Sequence, residues 1–443
     1  MAGVSRASAS FDTLIVGAGA AGLAAAAALS RAGASALVLE ARARVGGRVW
    51  SRRAPGLRIP VELGAEFIHG RPAATFSLLR KAGSAAVDAP LRRCYLRHGE
   101  PLAMGDAYAE LRAALREMGA LRGKDISFEK FLARDLRGLS DNARMLARMR
   151  VQGYDAADPA LASARAIVDE WIAESGSDAH FRPRGGYGEL LESLAGELCN
   201  SKVQLRTRAV VQSVRWKRGA VEIEGAWRGR LFRAVAPRAI ITLPLGVLQL
   251  APDAPGAVRF TPALREKQDA LKQLASGPVL KVALKFRNAF WEKLDGGRYR
   301  DVAFFHSPGA AFPTFWTALP ERAPLLIAWA GGPNAARLAG AGKPAIVRQA
   351  MTAMTSIFGE RNVAAARLEQ AWLHDWQRDP FARGAYSYVR VGGAGARASL
   401  AEPLQETLYF AGEATDVGGE HGTVAGALQS GTRAARELLA QID

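Results

Sequence analysis

The chain has 443 residues, 49% apolar and 23% charged, with 59 Lys+Arg against 42 Asp+Glu for a net charge of +17. That length exceeds one hydrophobic core and predicts about two or three domains, and the apolar and charged fractions exclude a disordered or fibrous chain. Two cysteines, Cys94 and Cys199, exclude a disulfide framework, and the basic residues are scattered rather than blocked, so the excess charge by itself does not predict a nucleic-acid partner.

The N-terminal MAGVSRASASFD lacks the apolar centre of a secretory signal. No apolar run approaches the roughly 20 residues of a membrane span, so a cytoplasmic protein without a membrane partner is expected. Leu14, Ile15 and Val16 predict a short buried strand. Gly17, Gly19 and Gly22 follow as GxGxxG, an alanine-rich helix runs to about Arg31, Gly33 ends it, and ALVLE makes a second buried strand closed by Glu40. Strand, glycine turn, helix and a late acid together are the setting in which this motif binds a dinucleotide. Gly17 permits the tight turn, Gly19 lets the backbone approach a pyrophosphate at the positive end of the helix, and Gly22 lets helix and strand pack closely. Glu40 can accept hydrogen bonds from ribose hydroxyls. A nicotinamide site would lead into an ordinary crossover helix. Here a second glycine turn, Gly46-Gly47, precedes Arg48, which favours FAD, since an arginine there can neutralise the same pyrophosphate. Taken alone, Arg48 reads equally well as a surface residue.

Residues from about 81 to 180 read as helices, for example DAYAELRAALREMGALRG and DNARMLARMRVQGY, and Gly185-Gly186 reopens the first domain. SKVQLRTRAVVQSVRWKRGAVEIEG alternates like paired strands with a turn at Gly219. TPALREKQDALKQLASG predicts a helix with Thr261 as N-cap, Pro262 in its first turn and Gly277 past its end. LKVALKF, Leu280 to Phe286, alternates with a period of two, which puts Lys281 and Lys285 on the face opposite the apolar one, ordinarily the solvent face. The six histidines are too far apart to give a metal-ligand spacing.

Blocks spread along the whole chain resemble the flavin-containing amine oxidases, the family of polyamine oxidases, monoamine oxidases and flavin histone demethylases. VGAGAAGLAAA and LEARARVGGRVW are similar to its N-terminal FAD signature, and ELGAEFIHG to the segment beside the flavin ring. ITLPLGVLQ resembles a strand-and-turn block common in the family, and LKVALKFRNAFW the strand with its active-site lysine. WQRDPFARGAYSYV resembles its aromatic block and LYFAGEATDVGGEHGTVAGALQSG its C-terminal FAD block. The resemblance implies an α/β fold. A Rossmann-like FAD-binding domain would be built from the discontinuous segments 11–80, 185–260 and 385–443, with an inserted α+β substrate-binding domain from 81–184 and 261–384.

It also implies residue roles. Gly17, Gly19, Gly22, Gly47 and Arg48 would meet the FAD pyrophosphate. Glu40, with Arg42 nearby, would hold the adenine-side ribose, and the Val211 backbone would meet the adenine. Gly64, Ala65 and Glu66 would run beside the flavin, and Gly412, Glu413, Thr423 and Val424 would bind its ribityl and ring end. Lys281 would hold a water near flavin N5, Tyr386 would face the amine, Trp376 would pack on the lysine side, and His69 would be a polar substrate contact. The reaction implied is hydride transfer from the carbon beside an amine nitrogen to the flavin, hydrolysis of the imine, and reoxidation by dioxygen to hydrogen peroxide.

Two departures shape the expectation. Ala385 stands where monoamine oxidases carry the cysteine that attaches FAD, so the cofactor should be non-covalent. Thr423 stands where many members place a second aromatic residue, so the cage around the amine is incomplete. A polycationic substrate also fits poorly with a charge of +17, unless Glu62, Glu66 or Glu170 lines the entrance. The leading expectation is a polyamine or related primary or secondary amine. An L-amino acid oxidase is the enzymatic rival, and a basic flavoprotein that binds nucleic acid without catalysis is the rival of another class. A histone-demethylase-like role is less expected, because neither a long helical insertion nor an extra N-terminal domain is visible.

Overall fold

In the computed structural model the described residues are 11–97, 99–174 and 179–441. Residues 1–10, where no signal segment is expected, lie outside them. The first strand, Thr13–Val16, is buried throughout and pairs in parallel with Ala36–Glu40 on one side and Arg238–Ile241 on the other. Val203–Thr207 and Leu408–Phe410 complete a five-stranded parallel sheet from distant parts of the chain. Buried on both faces, such strands read as continuous apolar runs. Ile15, Val38 and Ile240 face a helical layer that includes Ala20–Arg31, Tyr187–Gly196 and Val424–Leu439. Leu14, Val16, Leu37, Leu39 and Ile241 face a second sheet. That second sheet contains the hairpin of Ala209–Lys217 with Ala220–Trp227, turning at Gly219 as the alternation predicts.

A seven-stranded sheet forms the other half. Val279–Phe286 lies inside it between Leu368–Leu373 and Leu325–Gly331. Thr314–Thr317, Phe304–His306 and Arg93–Arg97 continue the order outward to Glu100–Pro101. Leu280, Val282, Leu284 and Phe286 pack under helix Lys343–Phe358. Helices Ala107–Met118, Phe128–Arg134, Asp141–Gly153 and Ala164–Glu174 form a further cluster beside this sheet. No helix among the described residues is long and apolar enough to cross a membrane.

Three expectations need correction. The helix expected over 261–277 is only Gln268–Gln273, after a short 3-10 turn. Thr261 instead ends a strand paired with Ser213–Arg215, and Leu274–Gly277 is a strand paired with Tyr386–Val389. Segment 81–180 is not all helical, since Ala86–Asp88 and Arg93–Arg97 are strands. Lys285 is not left to solvent: its Nζ pairs with Glu369 at 2.7 Å and its side chain is largely buried.

Candidate active site

A single cavity of about 1590 Å³ runs from the first glycine turn to Lys281 and on between the seven-stranded sheet and the helical cluster. Ligand pockets usually measure roughly 300–1,000 Å³, so this one has room for a dinucleotide and a second molecule. It begins where the first strand ends. Gly17 adopts φ +106°, a value that glycine alone reaches readily. A Cβ at Gly22 would lie 1.9 Å from the Gly17 carbonyl oxygen, so helix Ala20–Arg31 can approach the turn only through a glycine. Gly46 donates its N–H to Ala18 O at 2.8 Å and bridges to Gly19, which lays the second glycine turn, with Gly47, on the first.

Glu40 is buried beside this turn. Its Oε2 accepts from Ala18 N at 2.8 Å and its Oε1 from Arg42 N at 2.9 Å. Arg42 is in turn fixed by Asp379 at 2.7 Å, and Val211 lines the same end of the cavity. Two helices present their N-termini to it, Ala20–Arg31 and Val424–Leu439, and neither has an acidic residue in its first turn. Both positive helix ends are therefore open to a phosphate or an electron-rich ring. Arg48 reaches the middle of the cavity, donating to Ala385 O at 2.6 Å and Glu413 Oε1 at 2.8 Å. The other Glu413 oxygen accepts from the Ser387 hydroxyl at 2.7 Å. Gly412 adopts φ +142° beside it. Thr423 caps the second helix, accepting from Gly426 N and donating to Glu420 O, so its hydroxyl is already engaged. Val424 follows it along the wall. This arrangement of paired glycine turns, a buried carboxylate and two helix N-termini without acidic residues fits FAD.

Lys281 is only 3% exposed. Its Nζ donates to Gly64 O at 2.9 Å and pairs with Glu66 Oε2 at 2.7 Å. Glu66 also accepts from Arg182 Nε at 2.9 Å and Trp316 Nε1 at 3.1 Å. Burial would raise the Glu66 carboxyl, but the Lys281 and Arg182 charges outweigh it and hold it down to about 2. Gly64, Ala65, Glu66 and Lys281 thus meet at one place in the cavity wall. Trp376 is pinned next to them, its Nε1 donating to Leu63 O at 2.9 Å. Tyr386 donates its hydroxyl to Tyr154 O at 2.6 Å. Its ring also lines the cavity, and burial raises its phenol well above the usual range. His69 lies edge-on to Tyr154 and His180, and burial, with the His180 and Arg150 charges, pushes it down to about 3, so it is neutral.

Of the acids expected at the entrance, Glu62 is not on the cavity: it is buried against the Ser51 hydroxyl and Tyr187 N. Glu66 is spent on Lys281 and Arg182, and Glu170 lines the cavity but pairs with His421 at 2.9 Å. Sequence reasoning also missed a relay in which His374 Nε2 meets Asp379 at 2.7 Å while its ring packs edge-on against Trp376, centroids 4.3 Å apart. Through Asp379 and Arg42 this relay joins the Glu40 end of the cavity to Trp376. The Asp-Pro step after Arg378 hinted at a turn, but no spacing signals a contact with Arg42.

Comparison with known proteins gives the same outline. The family described as "Flavin containing amine oxidoreductase" matches residues 20–439. Lysine-specific histone demethylase 1 homolog 2 of Arabidopsis thaliana is 30% identical over 97% of this chain and 58% of that protein. Its Oryza sativa subsp. japonica counterpart is 29% identical over 97% of this chain and 57% of its own length. The chain thus spans little more than half of these relatives. Polyamine oxidase 3 of Oryza sativa subsp. japonica is 29% identical over 96% of this chain and 88% of that protein. Among solved structures, wild-type putrescine oxidase bound to putrescine superposes with TM-score 0.80 at 22% identity, covering 98% of this chain and 99% of that one. That likeness establishes the shared fold, a Rossmann-like FAD domain with a substrate domain. With the family match covering nearly the whole chain and a cavity built for FAD, this protein belongs to the flavin-containing amine oxidoreductases.

Proposed function

We propose that the protein is an FAD-dependent amine oxidase acting on a primary or secondary amine, with polyamines in the candidate set. When bound, FAD supplies the two-electron oxidation of the C–N bond, taking hydride at N5 and returning the electrons to dioxygen as hydrogen peroxide. Gly17, Gly19, Gly22, Gly47 and Arg48 hold the pyrophosphate, Glu40 and Arg42 the adenine-side ribose, and Val211 the adenine. Residues 64–66, with Gly412, Glu413, Thr423 and Val424, hold the flavin end. The division into an FAD domain of 11–80, 185–260 and 385–443 and a substrate domain of 81–184 and 261–384 belongs to the same proposal.

The observation that carries the reading is a buried lysine, Lys281, held by Gly64 O and Glu66 in the wall of a cavity continuous with the dinucleotide cradle. An ammonium has three donors. Gly64 O takes one and Glu66 Oε2 lies 2.7 Å away as the ion-pair partner, which leaves a donor for the water that hydrolyses the imine. Its fixed charge stabilises reduced oxygen. Tyr386 and Trp376, anchored through their polar atoms, hold their rings to orient the amine. The aromatic surroundings favour the neutral amine by desolvation. His69, uncharged, offers a polar contact to the substrate. Arg48, Arg182 and Arg397 are engaged with Glu413, Glu66 and Ser387. Their commitment supports an amine over an α-amino acid at this end. The polyamine oxidase relative, matched over most of both chains, supports it as well.

The test is Lys281→Met. Turnover should fall by roughly 10²-fold, the scale of losing one preorganised charge at a reacting centre, with FAD content unchanged. Turnover equal to that of the unaltered protein would return Lys281 to a structural role. A panel of polyamines, monoamines and amino acids, read by peroxide release, sorts the substrates.

A further inference from the structure

The sheet face that carries Lys281 leads away from it in register. Lys281 lies opposite Trp329, Trp329 opposite Thr314, Thr314 opposite His306, and His306 opposite Tyr95. Cross-strand partners share a face, and all five line the cavity. With strands ~4.8 Å apart, four steps carry this wall roughly 19 Å from Lys281 to Tyr95. Trp316 and Phe304, each two residues from a member of the row, widen its middle with aromatic surface.

At the far end the chemistry changes. Arg93, two residues before Tyr95 on the same strand, lays its guanidinium over the Tyr108 ring, 5.3 Å from its centroid. Tyr108 belongs to helix Ala107–Met118, where Arg112 and Arg116 follow one and two turns on along the same face. All of these residues line the cavity. Arg93 and Arg116 are exposed, and neither is in an ion pair with a described residue. His306 stacks on Tyr95 with ring centroids 4.6 Å apart. Its Nδ1 lies 3.1 Å from the Thr314 hydroxyl, and its Nε2 is buried without a hydrogen-bond partner. With Nδ1 accepting from Thr314, Nε2 carries the hydrogen and can donate. An anion at this mouth gives Arg93 and Arg116 a partner of opposite charge and the imidazole an acceptor.

We propose that the substrate is an amine whose far end carries a carboxylate, with the amine against the Tyr386 ring at the Lys281 end of the row, the chain lying across Trp329 and Trp316, and the carboxylate at Arg93, Arg116 and His306. The proposal deepens the amine-oxidase reading and rests on it. A diamine would bring a second ammonium against guanidinium groups. An α-amino acid, with its carboxylate on the reacting carbon, would not reach them. Side chains reaching inward from both ends leave roughly 8–12 Å for the ligand, the length of an ω-amino acid of about six to ten carbons.

The experiment uses the FAD-loaded protein and three six-carbon amines that differ only at the far end: hexylamine, 6-aminohexanoate and 1,6-diaminohexane, with a ten-carbon set beside them. In one chain-length set the carboxylate compound should exceed the diamine in kcat/KM by about tenfold at low salt, as expected for charge-assisted pairs at a partly exposed site. The gap should narrow as salt rises. Plain hexanoate or decanoate should compete with substrate. In the Arg93→Gln, Arg116→Gln double variant the carboxylate-to-methyl ratio of kcat/KM should fall about fivefold, and the alkanoate should inhibit more weakly. A diamine preferred in both sets, or a ratio the double variant leaves unmoved, overturns the proposal while amine oxidation stands. Failure of every amine to reduce the flavin overturns the amine-oxidase reading and this proposal with it.

Discussion

Glu62 and Glu66 lie four residues apart, yet their surroundings push them in opposite directions. Burial lifts the Glu62 carboxyl to about 7, against the pull of Ser51, Lys281 and Tyr187. Burial acts on Glu66 too, but Lys281 and Arg182 outweigh it and hold that carboxyl down to about 2. The signs of the pH dependence follow. Glu66 ionises more readily folded than unfolded, so its contribution to stability is complete above about pH 4.5 and is lost as pH falls toward 2. Glu62 ionises less readily folded. Between about pH 4.5 and 7 the folded state binds the extra proton, and the contribution of Glu62 declines as pH rises. Glu62→Gln keeps an acceptor for Ser51 and Tyr187 but cannot ionise. Its Tm should therefore fall less than that of the unaltered protein between pH 5 and 7, by the equivalent of about 1–3 kcal/mol. Parallel Tm curves would mean that Glu62 is charged throughout the window.

Between elements, helices Ala20–Arg31 and Val424–Leu439, the two whose N-termini face the cavity, approach closely enough to need a glycine. A Cβ at Gly431 would lie 2.1 Å from Ala21 O, a backbone atom that cannot rotate away. Gly431→Ala should force the helices apart, cost roughly 1–3 kcal/mol as overpacking does, and weaken FAD binding. Unchanged Tm and FAD affinity would mean the helix pair adapts freely. This half of the fold was legible because its signals are local: glycine spacing, a buried apolar run and Glu40 all fall within one strand–helix–strand unit. The other half was less so. Lys281 is buried and donates to Gly64 O, 217 residues away in sequence, and an alternating strand cannot reveal that both of its faces will be covered. The helix expected over 261–277 failed for a related reason. Its apolar spacing suits a helix, but Leu274–Gly277 gains more from pairing with Tyr386–Val389, and tertiary pairing overrides a weak local propensity. The His374–Asp379–Arg42 relay depends on register and loop path, neither of which a single sequence carries.

Across the whole molecule, the FAD cavity draws on chain from Val16 to Ala427. A ligand that touches so many separate segments binds the folded state and not the unfolded chain, so it stabilises by mass action. Ala385, at the position where a thiol would be needed for covalent attachment, has none, so the link should be reversible. Acid precipitation should leave the yellow colour in the supernatant rather than with the protein. Protein stripped of flavin under milder conditions should melt at lower temperature. Adding FAD back should raise its Tm with concentration, toward a gain of about 2.7 kcal/mol at a hundredfold excess over Kd. Riboflavin, which lacks the pyrophosphate and adenosine that the glycine turns, Glu40 and Val211 would hold, should restore far less. Colour that stays with the precipitate would refute the reading of Ala385. A Tm indifferent to FAD would mean that the cavity is held open by the protein alone, and that the glycine turns and helix ends do not grip the dinucleotide.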